Sequence, residues 1–309
     1  MDKNTIWAIV LSSLVLFGYF FFDAFYMAPK REAAYEAQQA AELEAQAAKA
    51  EEAEALASQI SEAASSFVAD PSAAGDVPVE EFTITTRRAQ VLLTNRGGDI
   101  VSYKLTDHLD KDTGDGVQMV DNVTSSNRAF SLSFGDSNMP ALDGAFNVKR
   151  IDDYTIGFYR DFSMKDDAGT EHRFRLGKLY TFTDDDYAFR LSVTVNSLDG
   201  SEAVLDLGGA AYTLRTSPQI GPHYNRKGDR YEVRQFVSWD GRRKTKKAFS
   251  DRSYDKAWEW AGAAGKYFAV IVKPADNAVM SPAIRCSAEQ VAGYENSQLF
   301  LTRSAIHAA

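Results

Sequence analysis

The stretch Phe189-Arg-Leu-Ser-Val-Thr-Val-Asn196 decides the fold class. Phe189, Leu191, Val193 and Val195 alternate with Arg190, Ser192, Thr194 and Asn196. A period of two places the four apolar side chains on one face of a pleated strand and the polar ones on the other. Strand-like runs extend outward from it at residues 82–86, 89–95, 99–105, 130–134, 154–160, 172–183, 203–215, 231–239, 266–273 and 278–286. Asp-Gly pairs at Asp143-Gly144, Asp199-Gly200 and Asp240-Gly241 fall between such runs and suit tight hairpins. No long amphipathic helical period follows residue 82. The expected fold is mainly β, a large antiparallel β-sandwich over residues 80–309.

Toward the N-terminus the pattern changes. Residues 32–64 hold fourteen Ala and eight Glu, both strong helix formers. Tyr35, Leu43, Leu56 and Ile60 make no sustained heptad, so a solvated helical or partly disordered spacer is expected over 30–79 rather than a coiled coil. Ser, Gly, Pro71 and Pro78 give residues 65–78 the composition of a hinge. Before the spacer, residues 6–22 read IWAIVLSSLVLFGYFFF without a charge. As a helix this run spans about 25 Å, and about 33 Å counted on through Met27, enough for a bilayer core. Ile6, Trp7, Leu11, Leu14, Leu16, Phe17, Phe20 and Phe22 would face lipid, with Trp7 at one interface and Tyr19 and Tyr26 at the other. Ala24 and Ala28 lack a small residue two positions earlier, so an uncleaved anchor over 1–29 is expected rather than a signal peptide.

The 309 residues carry 34 Lys+Arg against 43 Asp+Glu, a net charge of −9. The spacer segment 32–64 alone carries −7, and residues 65–309 carry −3. An acidic total argues against a nucleic-acid coat. The single Cys286 excludes an internal disulfide framework and multi-cysteine metal sites.

Chemistry-bearing motifs are sparse. Asp110-Lys-Asp-Thr-Gly-Asp-Gly116 is only superficially a calcium loop: Gly114 and Asp121 stand where further ligands are wanted, so an acidic surface turn is the plainer reading. His108, His172, His223 and His307 are scattered, and no nucleophile elbow, zinc-protease helix or phosphate loop occurs. Cys286 lies in an apolar run and is expected to be buried. The basic stretch 226–256 is more informative, with eleven Lys/Arg, five Asp/Glu and interleaved aromatic residues. Its centre, Arg242, Arg243, Lys244, Lys246 and Lys247, is either a solvated hairpin or a contact for anionic lipid headgroups. A translocating chain is a further candidate partner, and nucleic acid is not expected.

Three stretches carry a resemblance. They are Leu93-Thr-Asn-Arg-Gly-Gly-Asp-Ile100, Lys178-Leu-Tyr-Thr-Phe182 before Asp186-Tyr-Ala-Phe189, and Trp258-Glu-Trp-Ala-Gly-Ala-Ala-Gly-Lys-Tyr-Phe-Ala269. With the anchor and spacer, they make the whole chain resemble the N-terminal portion of the YidC family of bacterial membrane protein insertases. The most specific signature runs from Trp260 through Gly262 to Lys266, Tyr267 and Phe268. The resemblance implies an inner-membrane protein with a cytoplasmic N-terminus and a periplasmic super-sandwich similar to sugar mutarotases. It implies help in inserting and folding inner-membrane proteins, alone or beside the Sec translocon, with no nucleotide, metal or other cofactor and no bond chemistry. The family's groove and its buried arginine belong to five further spans. No second span is found in this sequence, so insertion by this chain alone is not expected. Lys266–Phe268 are read as part of a strand, either ordinary core or a contact toward the membrane-embedded part.

A membrane-anchored carbohydrate-binding or epimerase-like module is the alternative. It needs a His and a carboxylate facing one cleft, and His108, His172 and His223 show no evident partner in the sequence. A complex-organising spacer built on 32–64 is a third reading.

Overall fold

The computed structural model describes residues 77–165, 171–198, 200, 203–222, 224, 227, 231–255, 258–275, 280–291 and 294–308. The expected anchor, the Ala/Glu segment and His223 lie outside them. Among the described residues no helix is long and apolar enough to cross a membrane.

The described chain is built of strands: β1 (Glu81–Thr85), β2 (Ala89–Thr94), β3 (Asp99–Leu109), β4 (Gly116–Gln118), β5 (Leu132–Phe134), β6 (Asn147–Arg150), β7 (Thr155–Lys165), β8 (Glu171–Phe182), β9 (Phe189–Ser197), β10 (Ala203–Arg215), β11 (Gln235–Trp239), β12 (Lys244–Ala248), β13 (Arg252–Asp255), β14 (Trp260–Ala264), β15 (Ala269–Val272), β16 (Met280–Ser287), β17 (Gln290–Val291), β18 (Tyr294–Glu295) and β19 (Gln298–Ala308). They form four larger sheets, ordered β1-β2-β3-β4, β6-β7-β8-β9, β13-β16-β19-β10-β5 and β12-β11-β14-β15, and a β17-β18 ribbon. The strand pairings are antiparallel, so the expected mainly β, antiparallel class holds.

Two cores organise these sheets. In the first, Ile84, Val91, Leu93 and Ile100 of β1–β3 share one apolar cluster with Ile156, Phe158, Phe174, Leu176 and Tyr180 of β7 and β8. The alternating run Phe189–Asn196 lies in β9, and Phe189, Leu191, Val193 and Val195 all join this core. Phe189 lies opposite Phe182, with ring centroids 5.3 Å apart. Aromatic rings at edge-to-face and tilted angles fill the layer, as ring quadrupoles favour; Phe130 meets Phe189 at 4.9 Å and 85°. The second core is smaller. Phe236, Ala261 and Ala263 of β11 and β14 pack with Ile284, Cys286, Leu299 and Leu301 of β16 and β19.

Several boundaries differ from expectation for physical reasons. The 231–239 run begins pairing only at Gln235, and Tyr231 is exposed. The 266–273 run shortens to β15, because Lys266 and Tyr267 form the tip of the β14–β15 hairpin. Of 130–134 only Leu132–Phe134 is strand, since Phe130 takes a left-handed φ of 58°. Asp240-Gly241 does turn a hairpin, with Gly241 at φ 87°. Asp143-Gly144 does not, because the flanking β5 and β6 belong to different sheets; Asp199 lies outside the described residues.

Candidate functional site

Two of the stretches that carry the resemblance meet in one place. Asn95-Arg96-Gly97-Gly98 links β2 to β3, and both glycines are left-handed, at φ 69° and 62°. A Cβ on Gly98 would stand 2.7 Å from Phe158 Cβ, and one on Gly97 would stand 2.7 Å from the Leu142 carbonyl. This turn therefore needs glycine twice, for backbone angle and for space. It delivers Asp99, fully buried, to the core. There Asp99 Oδ1 accepts from Lys178 Nζ at 2.6 Å, and Oδ2 accepts from Arg128 Nε at 3.0 Å. Lys178 comes from the middle of β8, on a face otherwise made of Leu176 and Tyr180.

The Lys178 ammonium is also fully buried, and it donates further to the carbonyls of Phe130 at 2.8 Å and Gly97 at 3.1 Å. Its three protons then have three acceptors. Burial pulls its pKa down and Asp99 opposes that pull. Arg128 Nη1 reaches Asp143 at 3.0 Å, and Arg96 Nη2 reaches the same carboxylate at 2.6 Å. Partial burial pushes the Asp143 carboxyl up, but the two arginines outweigh it and hold it below the usual range. A chain of alternating charges thus runs from solvent at Arg96 to the centre of the first core. Every member has a counter-charge, so the cluster positions backbone rather than offering a free nucleophile or base. Lys178 holds the strained Phe130 carbonyl and Tyr180 donates to the Gly98 carbonyl at 2.9 Å, clamping the β2–β3 turn onto β8.

The third stretch lies on β14 and the turn after it. Gly262 is opposite Ile271, and a Cβ there would stand 2.4 Å from the Val270 carbonyl. Gly265 faces Arg234 and Glu232 at similar distances. Lys266 N donates to Glu232 Oε1 at 2.9 Å. Phe268 turns inward to the first core and meets His108 edge-on at 6.0 Å. Tyr267 points out, 74% exposed, with the Lys266 ammonium 4.8 Å over its ring. Lys266 draws the Tyr267 phenol below its ordinary pKa. Trp260 is half-buried opposite Trp239.

The centre of the basic run lies in the β11–β12 hairpin. Asp240 Oδ1 accepts from the backbone N–H groups of Arg242 and Arg243 at 2.8 and 2.6 Å, which sets the turn and lowers its carboxyl pKa. Lys244–Ala248 is the edge strand β12, and strand alternation divides its lysines. Lys244 is opposite Trp239 and Lys246 is opposite Val237. They share a face with Trp260, Gly262 and the exposed Ile271. Lys247 is on the other face, opposite Phe236 and 5.8 Å over the Tyr254 ring.

The remaining candidates join no such cluster, although His108 meets Phe268. Asp110 Oδ1 accepts from the N–H groups of Asp112 and Thr113 at 2.8 and 3.1 Å, so its carboxylate shapes its own turn. Cys286 is buried in the second core, and burial pushes its thiol up to about 12. His172 stands on β8 opposite Met164. His108 does have polar neighbours that the sequence hid. Its Nε2 is 3.3 Å from the Tyr187 hydroxyl and 3.8 Å from Asp107 Oδ1. Asp107, however, accepts from Tyr187 at 2.6 Å and Arg88 at 2.8 Å. The Tyr187 bond above all, and the Arg88 bond with it, hold its carboxyl low against the opposing effect of burial, which makes it a weak base.

Comparison with known proteins follows the same residues. The YidC periplasmic domain family matches residues 81–299. The chain is 35% identical over 316 residues to the membrane protein insertase YidC of Treponema denticola, covering 99% of this chain and 53% of that protein. It is 36% identical over 230 residues to the insertase YidC of Treponema pallidum, covering 63% of this chain and 37% of that protein. The chain thus spans about half or less of the length of these relatives. Among solved structures, a galactose mutarotase-like protein from Lactobacillus casei aligns with 72% of this chain and 87% of its own, at 13% identity and a TM-score of 0.41.

Proposed function

From the premise that this chain belongs to the YidC periplasmic domain family, we propose that it is the N-terminal part of a membrane protein insertase. The family match over residues 81–299 carries this reading. In it, residues 1–29 anchor the chain in the bacterial inner membrane with the N-terminus in the cytoplasm. Residues 30–79 are a spacer, and the β body from residue 80, a super-sandwich, works in the periplasm. The protein assists insertion and folding of inner-membrane proteins, with or without the Sec translocon. The role is one of surfaces rather than bond chemistry. The described charge cluster is internally paired, and the His108–Asp107 neighbourhood lacks a strong base, which disfavours the epimerase-like alternative.

The face that would meet anionic headgroups is the outer side of the β12-β11-β14-β15 sheet. Arg242 and Arg243 at the turn and Lys244 and Lys246 on β12 lie beside Trp239 and Trp260, with Ile271 exposed on β15. Cations next to indoles and one exposed aliphatic side chain are the composition of an interfacial surface. Each cation near the surface contributes about 1 kcal/mol. Lys247, turned the other way, is left out of this contact.

Two measurements test the proposal. Alkaline phosphatase fused after residue 309 should be active in a bacterial host if the β body is exported, and inactivity overturns the topology. A photo-crosslinker at Tyr267 or Trp239 should capture a nascent inner-membrane protein or a lipid in membranes containing the whole insertase. Absence of either adduct at both positions removes the role assigned to these surfaces.

A further inference from the structure

The sheet β13-β16-β19-β10-β5 has one face on the second core, made by Leu299, Leu301, Ile284 and Cys286. Its opposite face is polar. Register places Arg285 of β16, Phe300 of β19 and Arg215 of β10 in one row across three adjacent strands. Directly opposed residues share a face, and both guanidinium carbons stand 5.2 Å from the Phe300 ring centroid. This row lines a cavity of about 500 Å3, together with Asn127, Ser287 and Gln298. That volume lies in the ordinary range for small-ligand sites.

The electrostatics of the row are unbalanced. Among the described residues neither Arg215 nor Arg285 makes an ion pair, although arginines elsewhere in the β body are paired with carboxylates. Arg215 Nε is buried without a hydrogen-bond partner among those residues, and an orphaned donor of this kind is unfavourable until an acceptor reaches it. Arg215 donates Nη2 to the Met139 carbonyl, and Arg285 donates Nη1 to the Ser137 carbonyl and Asn138 Oδ1 at 3.3 and 3.2 Å. These bonds orient the two planar forks without neutralising them. Burial and the charge of Arg285 both press the Arg215 pKa down. Glu289 lines the rim and is exposed. The neutral lining is already organised: the Asn127 and Gln298 amides exchange two hydrogen bonds at 2.9 Å, and Gln298 also donates to the Thr216 carbonyl at 2.8 Å.

We propose that this cavity is a binding site for a small polar molecule bearing a carboxylate or phosphate group. The oxyanion would sit between the Arg215 and Arg285 guanidiniums, and the amides and serine hydroxyls would meet its hydroxyl groups. An oxyanion supplies what the row lacks, namely a counter-charge for two adjacent cations and an acceptor for the buried Nε–H. Phe300, held between the arginines, fixes their spacing and gives the ligand an apolar edge. The site is separate from the surfaces assigned to membrane insertion, and its occupancy is measurable without an insertion assay.

The test is calorimetric titration of the 309-residue chain in detergent with inorganic phosphate, glucuronate and glucose. Glucuronate and glucose differ only in the carboxylate. Saturable binding of phosphate, glucuronate or both is expected, with glucose at least about tenfold weaker. Phosphate alone identifies a phosphate-bearing ligand and glucuronate alone a carboxylate. Arg285→Gln, on a side chain that is partly exposed, should weaken anion binding by about tenfold or more while the thermal melt of the unliganded chain is kept. Arg215→Gln should do the same if it folds. No saturable binding of either anion overturns the proposal. So does equal binding of glucose, or an anion affinity unchanged in Arg285→Gln.

Discussion

The protein concentrates cations in two regions, and it treats them in opposite ways. Around Asp99, Lys178 and Arg128 are buried and fully partnered. Along the β11–β12 hairpin, Arg242 and Arg243 at the turn and Lys244 and Lys246 on the edge strand are exposed. Burying a charge is unfavourable unless geometry returns the cost, so the first cluster is tied to one backbone arrangement. Exposed charges cost little and stabilise little. The inner cluster therefore governs folding, and the hairpin is free to serve a partner.

The sharpest way to break the contrast is Asp99→Ala. It leaves Lys178 and Arg128 buried without their shared counter-charge, and a loss of about 3–5 kcal/mol is expected. Chemical denaturation of the β body measures it. A loss under about 1 kcal/mol would show that water or a neighbouring acceptor replaces Asp99, and that the cluster does not govern folding.

Next in size is the turn that delivers Asp99. Gly98→Ala meets a left-handed φ and a Phe158 Cβ at 2.7 Å, so about 1–3 kcal/mol of destabilisation is expected. Gly114→Ala is the control, since it shares a positive φ of 73° but has open space around its Cβ. Equal losses at the two positions would assign the whole effect to backbone angle and none to packing against β7.

The two regions also differ in how far the sequence shows them. β9 was legible because one face of it packs on the core and the other does not. The glycines of Arg96-Gly-Gly-Asp99 stood out, but their partner did not: Lys178 is 79 positions away, and a lysine in a strand ordinarily points to water. The one available signal was its place between Leu176 and Tyr180, in the phase of the apolar face. β12 was hidden because an edge strand of Lys-Thr-Lys-Lys-Ala has no apolar phase. β14 was hidden because Trp-Ala-Gly-Ala-Ala packs by small size rather than alternation. The Arg285–Phe300–Arg215 row depends on register between strands far apart in the chain, which no local pattern encodes. Asp240-Gly241 turned a hairpin as read, but Asp143-Gly144 misled, because the same dipeptide turns a chain between sheets as readily as within one.

The second core adds a titration test. Burial raises the Cys286 thiol from 9.0 to about 12. Tyr103, buried in the first core, is raised from 10.0 to about 12, by burial and then by Asp186. Both are neutral when protonated, so the folded state keeps protons that the unfolded chain releases first. Their contribution is intact below pH 9 and is lost as pH rises from there toward 12. Each group lowers stability by up to about 1.4 kcal/mol per pH unit within its window. Cys286→Ala should flatten the decline between pH 9 and 10, where of these two groups the thiol alone is in its window. An unchanged slope in urea unfolding midpoints would mean that the thiol titrates normally in the folded protein.

The smallest effect on stability is expected where the effect on binding is largest. Reversing Arg242, Arg243, Lys244 and Lys246 to Glu should change folding stability by no more than about 0.5 kcal/mol, because none is buried and none fixes the backbone turn through its side chain. The same change should abolish co-flotation of the β body with vesicles rich in anionic lipid, whereas Lys247→Glu alone should leave most of it. Lys247 is the discriminating position: it belongs to the same basic run but projects from the opposite face, over Tyr254. If bulk charge is all that matters, any one of the five lysines and arginines should count equally. If the face matters, Lys247 should count least, and Lys246→Glu alone should cost more flotation than Lys247→Glu. Equal losses for those two single variants would reduce the hairpin to a diffuse cationic surface and remove the tryptophan-bearing face from the lipid contact.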